Sequence, residues 1–473
     1  MLSLIPNYWE RQDPSFEKDV VALTHVCRSW RALFISLPSL WNRLDFTNVD
    51  KTRTCIKRSK SSPLEVVLCK AERRSSIEDS FLLAIPLFRR LQSFTFTGTP
   101  DLLCNILKHP TPPTPFLKEL TIDITNVPAP VISNTFFNNS LPSLRILKLT
   151  RVVIHSPWKF MPSLTTFNLS HVPDGGITVA QLLNIFESAP QLRHIRLTHS
   201  IPSSSNVLPG RVVRRPRLET LAISADASHS TLLNHLSIPE RALLNLDFDF
   251  GGDESPLLQH LPKTAKNLRN LFCITAINLH FNETMKFAQL VGPTGRLCIS
   301  GHWKDWDKTT PPPDLDRRIL LSLNYFSLHM TRRLAIMKYE PPTLTRVDES
   351  PPHKVLLRMT ALRTLTLTQC NNLPFILALN PRTYDPKMIL GPRLEEVIIY
   401  VEKRDAFHVP ELVDMAKERV LVGAGLRSVT IVGLGELVPG KEVFKLRDYV
   451  GHVDYRFEDV PPKWDTIPED FER

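Results

Sequence analysis

The sequence predicts an α/β chain: a right-handed solenoid of stacked strand-and-return units behind a small all-helical N-terminal module. Three observations carry this. A short apolar phrase, Φ-x-x-Φ-x-Φ with Φ apolar, recurs from residue 91 to residue 431. A Pro or Gly stands just before many copies. One amphipathic stripe near the N-terminus has helical spacing. Composition agrees: Leu is 68 of 473 residues, Pro 40 and Gly 16, so Pro is high and Gly low against averages of about 5% and 7%. Such a chain is a poor candidate for a Gly-rich nucleotide-binding enzyme.

The helical module comes first. Residues 20–37 read VVALTHVCRSWRALFISL, with apolar side chains at Leu23, Val26, Cys27, Trp30, Leu33, Phe34 and Leu37. These positions form one continuous helical stripe. Pro38 ends the helix, and Ser39-Leu40-Trp41 follows in an extended turn. A first function for such a module is to cap the open core of the array behind it.

The run Lys51-Thr-Arg53-Thr-Cys-Ile-Lys57-Arg58-Ser-Lys60 reads as a solvated basic connector, with a patch for an acidic partner as the alternative. The repeated phrase then stands at Leu91-Phe94-Phe96, Leu117-Leu120-Ile122, Leu144-Leu147-Leu149, Leu164-Phe167-Leu169, Leu192-Ile195-Leu197, Leu218-Leu221-Ile223, Leu243-Leu246-Phe248 and Leu268-Leu271-Cys273. After a degenerate copy at Leu297-Ile299 it returns at Leu323-Phe326-Leu328, Leu362-Leu365-Leu367, Leu394-Val397-Ile399 and Leu426-Val429-Ile431. Early copies lie 20 to 28 residues apart, and L-x-x-L-x-L at 20–29 residues is the mark of leucine-rich repeats. The L-x-L core alternates with period 2, as a half-buried strand does. Residues 179–188 and 409–420 carry helical patterns between copies. No unit can bury its apolar face alone, so neighbours must stack.

The domain plan is therefore a helical module over 1–50, a basic connector over 51–85, an irregular repeat solenoid over 86–447 with an insertion near 300–318, and an acidic aromatic tail over 448–473. The insertion carries Trp303 and Trp306 in polar context, readable as repeat caps or as binding anchors. The tail holds eight acids, three bases and five aromatic rings. It reads as a cap on the last repeat or as a strand lying across the substrate face.

Other classes are excluded or disfavoured. The seven cysteines are scattered, never in C-x-x-C, and support neither a disulfide framework nor a metal site. No signal peptide and no 18-residue apolar run is present, so the expected location is cytoplasmic or nuclear, with no membrane partner. The segment Gly435-Glu-Leu-Val-Pro-Gly440-Lys441-Glu442 misses the hydroxyl that a phosphate loop needs after its Lys. His194 and His199 are five apart and make a poor metal pair. No catalytic constellation, cofactor or metal is expected, so the chain reads as a non-enzyme. The net charge of +10 is mild for this length, and nucleic acid is disfavoured because Lys and Arg do not recur at one repeat position.

The letters VCRSWRALFISLPSLWNRLDF over residues 26–46 resemble the second half of an F-box, whose hallmark is V-C-[RK]-x-W followed by P-S-L-W. The F-box plus leucine-rich-repeat layout is that of the substrate receptors of Skp–cullin–F-box ubiquitin ligases. Of the family's opening L-P-x-E-[IL]-L-x-x-I-[FL], only Met1-Leu2-Ser3-Leu4-Ile5 matches the end, so a truncated or degenerate F-box is expected. The resemblance implies a Skp-type adapter and a cullin scaffold as partners. If the module docks, Leu4, Ile5, Trp30, Leu37, Pro38 and Leu40 are the candidate adapter contacts, with Trp30 and Leu33 open between contact and module core. An unidentified protein substrate is expected on outward strand positions, namely Lys148, His194, Arg196, Asp247, Asp249, Glu396 and Tyr400, with Trp303 and Trp306. An adapter-independent interaction scaffold is the alternative.

Overall fold

In the computed structural model the described residues are 21–46, 48–69, 74–125, 129–132, 137, 141–154, 161–173, 176–200, 210–225, 230–250, 261–262, 267–281, 285–303, 315–338, 350–383, 389–401, 408–434 and 441–458. They form two compact units, Met1–Val213 and Arg214–Arg473. Each is a mixed α/β unit built on a mostly parallel sheet.

The first unit opens with helix α1 (Arg28–Ser36), strand β1 (Arg43–Leu44), helix α2 (Val49–Ser59), strand β2 (Leu64–Cys69) and helix α3 (Arg74–Ala84). It continues with β3 (Leu91–Gly98), α4 (Pro100–Leu107), β4 (Glu119–Ile124), β5 (Ile146–Thr150), β6 (Thr166–Ser170), α5 (Val179–Ser188) and β7 (His194–Thr198). From β1 to β7 each strand pairs in parallel with the next. The register puts phrase on phrase: Phe94 opposite Leu120, Leu120 opposite Leu147, Leu147 opposite Phe167, and Phe167 opposite Ile195. All five are buried. Helix α5 has a capping box, in which Gln181 N donates to Thr178 Oγ1 at 3.2 Å and Thr178 N to Gln181 Oε1 at 2.7 Å. Behind the first strands the core is aromatic: Phe46, Phe81 and Phe88 meet edge to face, with centroids 6.1 and 5.4 Å apart.

The recurring Pro has a local job. In Leu141-Pro-Ser-Leu144, Met161-Pro-Ser-Leu164, Ala189-Pro-Gln-Leu192 and Arg215-Pro-Arg-Leu218, the last residue's amide donates to the first residue's carbonyl at 3.1–3.2 Å. Pro sits second in each turn, where its fixed φ is pre-set. The phrase's first Leu thus closes a tight turn and enters the core, and the strand begins two residues later. The strands also end alike. Arg151, His171 and His199 each follow a strand with φ of 55°, 53° and 44°, and in the second unit Lys338 and Gln369 do so at 55° and 48°. The amides of Arg151 and His171 donate to the last carbonyl of the next strand, at Ser170 and Thr198. That of Lys338 does the same at Thr368, and that of Gln369 donates to Tyr400, the next-to-last residue of its strand. The left-handed backbone turns the chain out of the ladder while keeping one more bond to it.

The second unit runs β8 (Thr220–Ala225), β9 (Leu243–Phe250), β10 (Ala276–Phe281), β11 (Met285–Val291), β12 (Arg296–Trp303), α6 (Leu315–Ser322), β13 (Arg333–Met337), α7 (Pro351–Leu356), β14 (Thr364–Thr368), α8 (Leu373–Leu379), β15 (Glu396–Val401), α9 (Val409–Leu421), β16 (Ser428–Leu434) and β17 (His452–Glu458). Its ladder is not sequential. Strand β9 pairs in parallel with β12, and β12–β11–β10 form an antiparallel meander. Parallel order resumes from β10 to β13 and continues through β17. The degenerate copy at Leu297-Ile299 is thus a true member of the ladder, opposite Leu244 and Leu246.

Three expected copies are corrected. Leu268-Leu271-Cys273 is not a strand: Arg269–Leu271 is a 3₁₀ turn, and the strand is β10. Leu323-Phe326-Leu328 is likewise 3₁₀ at its start, with the strand at β13. An i, i+3 apolar pair suits one 3₁₀ turn as well as the entry to a strand. The copy read as Leu243-Leu246-Phe248 is displaced by two residues, since Leu244 and Leu246 stand opposite Leu221 and Ile223. In the tail, 452–458 extends the ladder as β17 in register with β16, rather than crossing its face. Residues 459–473 lie outside the described residues.

Candidate functional site

Leu4, Ile5 and Trp306 lie outside the described residues. Helix α1 buries none of its residues; Trp30 and Leu33 are each 44% exposed and Val26 is 62% exposed. Both residues left open between contact and core therefore lie on the surface among the described residues. Leu37, Pro38 and Leu40 follow, each half-buried. What anchors this segment is Trp41, buried, whose Nε1 donates to the Phe34 carbonyl at 2.9 Å. The Arg58 guanidinium stacks 4.2 Å over its ring.

In the first unit the outward strand positions form a basic strip. Lys148 stands opposite Asn168, and Asn168 opposite Arg196, on one row; His194 stands opposite Thr166 on the row beside it. Lys148 and His194 are exposed and Arg196 is half-exposed. At the strand ends the left-handed residues add Arg151, His171 and His199. The His171 and His199 rings stack with centroids 4.9 Å apart and planes 20° apart. Burial holds the His171 pKa below its usual value, with the charges of His199 and Arg151 adding to this and Asp123 opposing it. The lowered value keeps His171 neutral at neutral pH, so the fixed positive charge at this end of the strip is that of Arg151.

Sequence reading missed Arg151 and His171 and weighed His199 only as a metal ligand. Their signal is positional: each lies two residues beyond the last apolar residue of its phrase, at Leu149, Leu169 and Leu197. Lys338 stands at the same position after Ile336, also with positive φ.

The second unit's outward face is spent on itself. Asp247 accepts from Ser300 Oγ at 2.7 Å and from Ser224 Oγ at 3.3 Å. Asn278 Nδ2 donates to Gln289 Oε1 at 2.8 Å, and Gln289 Nε2 lies 3.9 Å from Cys298 Sγ. Burial pushes the Cys298 thiol up to about 11, so it is no thiolate at neutral pH. Glu396 accepts from Thr364 Oγ1 at 3.2 Å. Tyr400 corrects the expectation of an exposed contact. It faces outward in register but is 8% exposed, clustered with Val432 and Leu434 against Ile398. Burial and then Glu458 raise its pKa, while Arg456 opposes. Asp249 and Trp303 lie in β9 and β12, paired with His302 and Phe250; their side chains lie outside the described residues.

Among the described residues no helix is long and apolar enough to cross a membrane, and no group of three or more His, Cys, Asp or Glu is placed to hold a metal ion. No family model matches the chain. No curated protein matches it either.

Proposed function

We propose that the chain is a non-catalytic substrate receptor of a Skp–cullin–F-box ubiquitin ligase. In this reading residues 1–50 are an F-box-like module and the ladder is an irregular leucine-rich-repeat solenoid with a parallel right-handed course. The observation that carries it is the register of the first unit: phrase residues of successive strands stand opposite one another inside, with Lys148, Asn168 and Arg196 in line outside. A target protein would bind the basic strip of Lys148, His194, Arg196, Arg151 and the histidine pair, which fits an acidic segment. The adapter would dock on Trp30, Leu37, Pro38 and Leu40, beside the exposed Val26 and Leu33. The mechanism is positioning, since a bound target gains high effective concentration at a ligase whose chemistry lies on other subunits.

Affinity capture of the full-length protein tests this. The wild type should bring down a Skp-type adapter and a cullin, and a P38A/L40A variant should lose both while its repeats unfold at the same temperature. A folded wild type that captures target proteins but no adapter would make the chain an adapter-independent scaffold and end the ligase reading.

A further inference from the structure

A cavity of about 530 Å³ lies between the start of the chain's described part, the turn after α1, and α2. Its size suits a small-molecule site. Its chemistry is one-sided. Arg31, Arg43, Lys51, Arg58 and His25 line it together with apolar Val21, Ile35, Leu40, Trp41 and Cys55, and no carboxylate is among its lining residues that the structure describes. Lys51 is paired with Asp45, which tempers one of the four fixed cations.

The cations are held in place. The guanidinium carbon of Arg58 lies 4.2 Å from the centroid of the Trp41 ring, a cation–π contact that holds the charge beside the apolar floor. Arg31 Nε donates to the Thr24 carbonyl at 2.9 Å, and Arg31 Nη2 lies 3.4 Å from His25 Nδ1. Helix α2, which supplies Lys51, Thr54, Cys55 and Arg58, is fixed by Asn48, whose Oδ1 accepts from the amides of Asp50 and Lys51 at 2.8 and 3.0 Å. Trp41 is itself fixed by its bond to Phe34. Arginines on a rigid frame above an apolar floor recognise a dianion through paired N–H···O bonds and take up the body that carries it.

We propose that this cavity is a binding site for an organic phosphate, a phosphomonoester on an aromatic or aliphatic body. The phosphate lies against Arg31 and Arg58, and the body lies against Ile35, Leu40 and the Trp41 edge. The test is separate from adapter docking, because none of its readouts involves the adapter, although Leu40 lines the cavity and also stands among the proposed adapter contacts.

Calorimetric titration of the full-length protein with phenyl phosphate and with AMP, each beside phenol or adenosine, tests it. At least one phosphate should bind saturably at one site, at least tenfold tighter than its parent alcohol and more weakly as salt rises. An R31Q/R58Q variant should lose that binding at least tenfold, and T54F, which fills the cavity without changing its charge, should lose it too. If one variant fails to fold, the other decides. Absence of saturable binding up to millimolar concentration, equal binding of phosphate and parent, or unchanged binding in the folded variants would overturn the proposal. Inorganic phosphate binding as tightly as phenyl phosphate would also overturn it, since the apolar floor would then contribute nothing.

Discussion

Arg419 offers the sharpest test of how the second unit is held together. It lies in α9 and is fully buried. Its guanidinium donates to the carbonyls of Ala424 at 3.1 Å, Leu390 at 2.9 Å and Gly391 at 2.8 Å, with a longer contact to Leu379 at 3.5 Å. One side chain thus ties the end of α8, the turn before β15 and the end of its own helix. Burial pushes its pKa down to about 10, still above neutrality, so it remains charged. Replacing a buried ion pair by apolar groups is often harmless because both partners leave together. Here the partners are backbone carbonyls that no substitution removes. An Arg419→Met change deletes three short charge-assisted bonds worth about 1.5–3 kcal/mol each, offset in part by relief of the guanidinium's desolvation. We expect a net loss of ~3–5 kcal/mol and a fall in unfolding temperature of about 10 °C. Hydrogen exchange should show lost protection in α8 and α9, with the first unit unchanged. A loss below ~1 kcal/mol, or equal deprotection of both units, would refute the reasoning.

Gly295→Ala should destabilise the β11–β12 turn by more than about 2 kcal/mol, because a Cβ there would sit 2.3 Å from the Glu240 carbonyl and 2.7 Å from the Asn270 Cβ; urea denaturation is the measure. Thr178→Ala should cost about 1 kcal/mol through loss of the α5 cap, with Thr178→Ser restoring most of it. His171 has a folded pKa held below its usual value, so the unfolded chain takes up that proton first as pH falls through about 6.5. Its contribution is therefore present above that pH and lost below it, and unfolding temperatures from pH 7.5 to 5 should fall less in His171→Gln than in wild type. Parallel curves would show that the histidine stack is not the cause. Lys148→Glu with Arg196→Glu should abolish target capture at unchanged stability, whereas an equal loss from charge reversal at Lys354, exposed on α7, would remove the strip from the reading.

The resemblance to an F-box rested on letters, and what its residues do in three dimensions was open until Trp30 and Leu33 were placed on the surface. The site was legible in part for a related reason. Period 2 states which way a side chain points, and Lys148, His194 and Arg196 do point outward. It does not state what else stands on that face. Tyr400 points the same way and is covered by Val432 and Leu434, and Asp247 is taken up by two serines from flanking strands.

By itself the sequence determined most strands that carry the phrase, because alternation and a closed turn are local properties of six or seven residues; it did not mark 64–69, 276–281, 285–291 or 333–337. That is why the copies at Leu117, Leu144, Leu164, Leu192, Leu362, Leu394 and Leu426 fold as read. Which strand lies beside which was decided only in the tertiary structure. Strand β9 takes β12 as its neighbour, and the choice depends on Gly295 allowing the β11–β12 turn to press against the 240–242 backbone. The same holds for Arg419, a charged residue on a helix pattern whose role depends on carbonyls 28 to 40 residues away. Long-range partners leave no period in the chain, since their spacing is set by how the units pack.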